Sequence, residues 1–431
     1  MFIQSNYEKK HLFGRNELKG DNRVIGLSDL MLNDILEAQK VLKGKIKRTP
    51  LNHSTTFSKK TGCNVYLKHE NLQKAGSFKV RGAYNKIARL EENTREKGVV
   101  AVSTGNHAQG VALAASIFGV DSTIVMPKGA PISKIEATKG YGGKVILHGE
   151  SFEEAYTKAQ EIRDTEDLTL IHAFDDPDIA AGQGTIGLEI LEDLPDVDLV
   201  ICPIGGGGLI SGIVTAIKSE KPQCRVIGVQ TKEMSAAYQS FKKGKLIQTE
   251  KGNTLANGIA IKSPSEFTYS IIKSHLDDIV IVEEEEIAQA MLLLLERCKS
   301  VAEGAGATAL AALLYRDIAQ KDENVVLIIS GGNVDITILS KLITQGLIKS
   351  GRYRELKVLV EDKPGGLENL LKIITKSEAN IIDINVDRFS PDLPFNHVVV
   401  ELAIETKNLE HSNEILNKIK TQYQVLGFKK S

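Results

Sequence analysis

The chain has 431 residues, 42 % of them hydrophobic and 25 % charged, with 54 Lys plus Arg against 55 Asp plus Glu. That length exceeds what one hydrophobic core usually serves, so at least two domains are expected. A net charge of −1 argues against nucleic acid or an anionic membrane surface as a partner.

The opening stretch MFIQSNYEKKHLFGRNELKGDNR has no apolar core able to act as a signal peptide. AMLLLL at 290–295, an uninterrupted apolar run, is far too short to cross a bilayer. Cys63, Cys202, Cys224 and Cys298 form no C-x-x-C pair, and the histidines show no H-x-x-x-H or H-E-x-x-H spacing. Buried free thiols, no metal site and a cytoplasmic location are therefore expected.

Residues 1–25 are polar and aperiodic and read as an N-terminal extension. From LSDLMLNDILEAQKVL onward, short β-branched runs alternate with helical stretches. NVYLKHE, GVVAVST, STIVMP, KVILHG, LTLIHA, DLVICPIG, CRVIGVQ, DIVIVEE and NVVLIISG read as strands, with helices of period 3.6 such as NHAQGVALAASIFG between them. Continuous apolar strands alternating with helices mean parallel sheets covered on both faces. Residues 26–350 are thus expected to be α/β, as two adjacent open sheets. After GLIKSGRYRE the rhythm becomes strand, helix, strand, strand, helix, strand, the order of an α+β ferredoxin-like unit, over residues 356–431.

KAGSFKVRGA at 74–83 places one cation, Lys79, where a loop turns into an apolar helix. A lone helix lysine is usually solvated. Here Phe78 and Val80 flank it, and Gly76-Ser77 reads as an N-cap. A lysine in a partly apolar site loses its proton more readily and becomes a nucleophile toward carbonyls. Two further stretches run strand, small-residue loop, helix: VVAVSTGNHAQGVALAA, with Ser103, Thr104, Gly105 and Asn106 at the turn, and LVICPIGGGGLISGIVTA, with Gly205, Gly206, Gly207 and Gly208 before Leu209. Free N–H groups at such helix starts bind anions without a basic side chain. Taken alone, the glycine run could be a tight turn, and Asn106 and His107 could be helix caps. The loop also lacks the endings of a nucleotide P-loop and of a dinucleotide fingerprint. An amine nucleophile with two anion loops fits pyridoxal phosphate acting on an amino acid.

KHENLQKAGSFKVRGA, STGNHAQG, GGGGLISG, AEGAGATALAAL and SGGNVD, in this order over about residues 30–350, resemble the fold-type II pyridoxal-phosphate enzymes and, within them, the threonine ammonia-lyases. VEDKPGGLENLLKII resembles the start of a single ACT regulatory domain. The resemblance implies a two-subdomain open α/β catalytic region and β-elimination from L-threonine, with L-serine as a second substrate. In it Lys79 bonds the cofactor and serves as general base, Phe78 packs on the ring, and Asn106 meets the ring hydroxyl. Gly205 to Gly208 and Leu209 hold the phosphate, Ser330 faces the pyridine nitrogen, and Gly258 and Glu303 lie near the ring. Ser103, Thr104, Gly105, Asn106 and His107 receive the substrate carboxylate, with Thr104 standing where the family often has Ala or Ser.

An amino-acid effector, with isoleucine or valine first, would lie near Pro364, Gly365 and Gly366 and near the strand starting at Asn380, in a homodimer or homotetramer. Serine racemase or serine ammonia-lyase is the nearest alternative, with Ser103 as the second acid/base a racemase would need. A non-catalytic amino-acid sensor is the alternative from another class.

Overall fold

Alternating strand residues divide between two separate cores. In the strand Leu199–Pro203, Leu199 and Ile201 enter one core while Val200 and Cys202 enter another, which requires a sheet covered on both faces. The computed structural model describes residues 30–250 and 252–428, and the extension expected over 1–25 lies outside them. In chain order the strands are β1 (Leu51–His53), β2 (Asn64–Lys68), β3 (Val99–Val102), β4 (Ser122–Met126), β5 (Lys144–Leu147), β6 (Thr169–Leu170), β7 (Leu199–Pro203), β8 (Arg225–Thr231), β9 (Asp278–Val282), β10 (Asn324–Ile328), β11 (Tyr353–Glu361), β12 (Asn380–Asp387), β13 (His397–Glu405) and β14 (Gln424–Phe428).

Three sheets result: β1-β2-β10-β7-β8-β9, β5-β4-β3-β6 and β12-β13-β11-β14. The first two are the expected adjacent open sheets, parallel throughout except where β1 pairs antiparallel with β2. β1 is absent from the strands read off the sequence, because three residues at a sheet edge carry no alternation to detect. Only two residues of LTLIHA stay in the ladder. His172 Nδ1 accepts the main-chain N–H groups of Phe174 and Asp175 and turns the chain away. The third sheet is antiparallel, and the helices Gly366–Lys376 and Leu409–Lys420 pack on the face carrying Leu356, Val358, Val400 and Leu402. This is the α+β unit expected at the C-terminal end.

The helix Lys79–Arg89 buries Val80, Ala83, Tyr84 and Ile87 against the β3–β6 lobe, an i, i+3, i+4, i+7 stripe. Its neighbour, the helix Pro177–Asp193, also packs on the helix Gly208–Glu220. Both contacts depend on glycine. A Cβ on Gly182 would lie 2.7 Å from Gly82 Cα, and one on Gly184 would lie 2.8 Å from Gly212 O.

A buried ionic group locks the arrangement. Arg81 donates to both oxygens of Glu70 (2.8 and 2.9 Å) and both of Glu189 (2.7 and 2.9 Å), and Lys68 Nζ meets Glu189 Oε2 at 2.6 Å and Thr49 O at 2.8 Å. Burial opposes the guanidinium charge, but the two carboxylates outweigh it and raise its pKa. Two cations and two anions compensate one another, so removing one leaves a buried charge unpaired. Arg81→Met should therefore destabilise the protein by about 3–5 kcal/mol, read as a lower urea midpoint. A loss under about 1 kcal/mol would mean the network is not a structural lock.

Candidate active site

Loops at the carboxyl ends of β2, β3, β6, β7 and β10 converge, as ligand-binding loops do in open α/β sheets. Lys79 opens its helix, and its Nζ donates to Ala173 O at 2.9 Å. Ser77 does not cap that helix as expected. The N-cap position is Phe78, with no side-chain cap, and the Ser77 hydroxyl is buried without a partner among the described residues. The physical reason is a short bridge between Ser77 and Gly331, together with Phe78 N–H donating to Ser330 O at 3.2 Å, which turns this segment toward β10 rather than over the helix start. Burial lowers the Lys79 pKa to about 8, against the opposing pull of Glu303. The amine also lies 5.2 Å from the Phe78 ring centroid.

Asn106 is the first residue of its helix, and its Nδ2 donates to Glu303 Oε1 at 2.5 Å. Its Oδ1 accepts from Asn333 Nδ2 at 2.8 Å, and Asn333 also donates to Ala75 O at 2.8 Å and Gln109 Oε1 at 3.3 Å. Burial raises the Glu303 pKa, with Asn106 working against it. Gly258 and Gly331 back onto the same carboxyl; a Cβ on Gly258 would lie 3.4 Å from Glu303 Oε1, and one on Gly331 would overlap it.

In the glycine loop, Gly207 has φ +99°, and a Cβ on Gly206 would enter the Phe174 ring. The loop carbonyl of Gly206 accepts from Thr268 Oγ1 at 2.7 Å. The N–H groups of Gly205 through Leu209 donate to no atom among the described residues. The same holds for Thr104, Asn106 and His107, whereas Gly105 N–H is held by Ser103 Oγ at 3.1 Å. His107 bonds Ile171 O through Nε2 at 2.8 Å, and burial, aided by the Lys79 charge, lowers its pKa to about 3. Its ring is neutral at physiological pH, leaving only its main-chain N–H to meet an anion.

This donor set fits pyridoxal phosphate: an amine of lowered pKa for an aldehyde, free amides at a helix start for a phosphate, and the buried Ser77 and Ser211 hydroxyls without partners among the described residues. Lys79, Phe78, Ser330, Asn106, Gly258, Glu303 and the glycine loop are brought together. Asn333, Gln109, Ala173 and Phe174 join them without having been singled out from the sequence. The quoted SGGNVD contained Asn333, but no periodicity marks an amide that bridges two lobes.

The expected effector residues do not converge within one chain. Asn380 pairs with Glu405, beside Tyr353 at the start of β11, while Pro364, Gly365 and Gly366 follow the far end of that strand at Glu361. A nine-residue strand separates the two ends. Gly365, at φ +84°, starts the helix Gly366–Lys376.

The pyridoxal-phosphate-dependent enzyme family matches residues 42–331, and the ACT domain family matches residues 353–427. The L-threonine ammonia-lyase of Thermotoga maritima is 50 % identical over 386 residues, 90 % of this chain and 96 % of that protein. Among solved structures, the processed form of threonine deaminase isoform 2 from Solanum lycopersicum superposes with a TM-score of 0.69 at 36 % identity, over 75 % of this chain and 91 % of that one. Maize serine racemase gives 0.70 at 36 % identity, over 75 % and 98 %.

The lowered pKa of Lys79 has a stability consequence. A folded value of about 8, below the ordinary 10.5, means that the fold penalises the charged amine. The penalty is complete below pH 8 and vanishes above about pH 10.5. Lys79→Met should raise the stability of the cofactor-free protein at pH 7 by up to ~3 kcal/mol, reduced by screening from the open cleft. Urea melts should show that gain fading as pH rises from about 8 to 10.5; a gain independent of pH would exclude the buried-charge explanation.

Proposed function

The chain belongs to the pyridoxal-phosphate-dependent enzymes and carries an ACT domain at its C-terminal end, and from that premise we infer that it is a threonine ammonia-lyase, converting L-threonine to 2-oxobutanoate and ammonia and L-serine to pyruvate and ammonia. The observation that carries this reading is the Lys79 amine, its pKa lowered to about 8, set among the glycine loop, the Asn106 loop and Ser330.

Pyridoxal phosphate, when bound, supplies the electron sink for charge left on Cα. Lys79 is the residue we assign to bond the cofactor aldehyde and, once released, to take the α-proton; an amine titrating near neutrality suits both tasks. The free N–H groups of Thr104, Asn106 and His107 suit the substrate carboxylate, and those of Gly205 through Leu209 suit the phosphate. Ser330, assigned to face the ring nitrogen, is neutral and would supply no charge to hold a proton there, a setting that would favour elimination over transamination. The Cβ hydroxyl leaves with a proton as water, which in the overall balance offsets the α-proton taken by Lys79, and the released unsaturated amino acid takes up water to give the oxo acid and ammonia.

A second reading, serine racemase, draws on Ser103 and on the likeness to the maize enzyme. Chiral analysis of serine left after partial turnover separates the two, because a racemase leaves D-serine.

We assign the ACT domain to an amino-acid effector and place the enzyme in the cytoplasm as a homo-oligomer. The separation of Asn380 from Pro364–Gly366 supports the oligomer, since one small ligand could touch both only if a second copy supplied one of them.

Lys79→Ala should lower threonine turnover by several orders of magnitude, because nucleophile and base are the same group; near-native turnover would remove the central assignment. A chain ending at Gly351 should keep lyase activity and lose its response to isoleucine or valine. Retention of the full response in that truncated form would place the effector elsewhere.

A further inference from the structure

Lys134 lies outside every motif described above, in the first turn of the helix Ile132–Gly140 on the β3–β6 lobe. That helix packs on its own lobe, against the helix Asn106–Phe118 and β5. Among the described residues, the Lys134 amine makes the helix's one side-chain hydrogen bond to the six-stranded lobe, donating to the main-chain O of Asn333. The Asn333 side chain then donates to Ala75 O, Asn106 Oδ1 and Gln109 Oε1, and Asn106 donates to Glu303. A half-buried cation is thus linked, through Asn333 and then through the amide expected to face the cofactor, to a buried carboxyl.

We propose that Lys134 is a positioning residue that clasps the two lobes at Asn333 and thereby holds Asn106 and the adjacent carboxylate loop in their binding arrangement. The proposal rests on the lyase reading for its kinetic consequence and on the bonding network alone for its structural one. A charge-assisted hydrogen bond to a main-chain carbonyl is stronger than a neutral one. It adds to the closed arrangement of the lobes and to nothing else in the helix. The positive charge also opposes the burial that raises the Glu303 pKa.

A protein that binds substrate in only one of two lobe arrangements shows an affinity reduced by the fraction so arranged. Loss of the clasp should therefore raise KM for L-threonine more than it lowers kcat. Lys134→Met keeps the stem and removes the donor, whereas Lys134→Arg keeps a donor and the charge.

The test compares both variants with the full-length holoenzyme in steady-state kinetics, and compares hydrogen exchange over residues 103–110 and 330–334 in the cofactor-free chains. For Lys134→Met we expect KM to rise about tenfold with kcat within about threefold, and exchange to quicken in both segments with Tm little changed. For Lys134→Arg we expect most of that loss to be recovered. Wild-type KM and wild-type exchange in Lys134→Met would overturn the proposal, as would a fall confined to kcat, or an arginine variant as impaired as the methionine one. If the wild-type chain has no activity on L-threonine or L-serine, the lyase reading fails instead, and the exchange comparison still decides the clasp.

Discussion

Everything at the reaction site depends on keeping one end of one helix still. Lys79 is the first residue of that helix, and Arg81, one half-turn later, is fixed by Glu70 and Glu189 in the protein interior. Taking four charges out of water is costly, and their mutual attraction offsets that cost only in a narrow geometry. Such a group is a poor source of net stability and a strict source of position. Because Glu70 follows β2 and Glu189 lies on the helix Pro177–Asp193, the geometry that satisfies Arg81 also fixes where the lysine amine emerges between the lobes.

The helix Pro177–Asp193 carries that constraint to the glycine loop. Gly184 and Gly212 let it approach the helix Gly208–Glu220 closely enough that side chains of any size would separate them. Both anion loops then present main-chain amides, not lysines or arginines. A helix start binds an anion with fixed dipoles and adds no titrating group beside the amine that has to lose a proton. Lys79 is consequently the cation whose charge the site controls, with burial lowering its pKa and Glu303 opposing that shift.

The C-terminal unit follows different physics. Its antiparallel sheet is covered by helices on one face, while Lys357, Glu361 and Glu401 lie on the other. Its turn Pro364–Gly366 and the start of β12 at Asn380 lie at opposite ends. Regulation by this unit requires a change in how chains or domains are arranged, because no residue assigned to the chemistry lies within it.

Local pattern was enough to establish the α/β region, its division into two sheets and the α+β unit after it, because period 2 and period 3.6 are visible in any window of ten residues. Lys79, Asn106 and the glycine loop were also legible, since each sits where a strand or loop becomes a helix. β1 was too short to show a pattern, and the role expected of Ser77 as a cap was lost to a bridge with Gly331, more than 250 residues away in the chain. Arg81, Asn333 and Lys134 carry no local pattern that singles them out. What each touches depends on segments distant in sequence, and a buried charge or amide acquires its meaning only from the partner that folding brings to it. The sequence determined which elements form and which residues stand at their ends; the packing of the two lobes decided which charges are buried, which amides stay free and which lysine crosses the cleft, because these are properties of contacts between elements and not of any element alone.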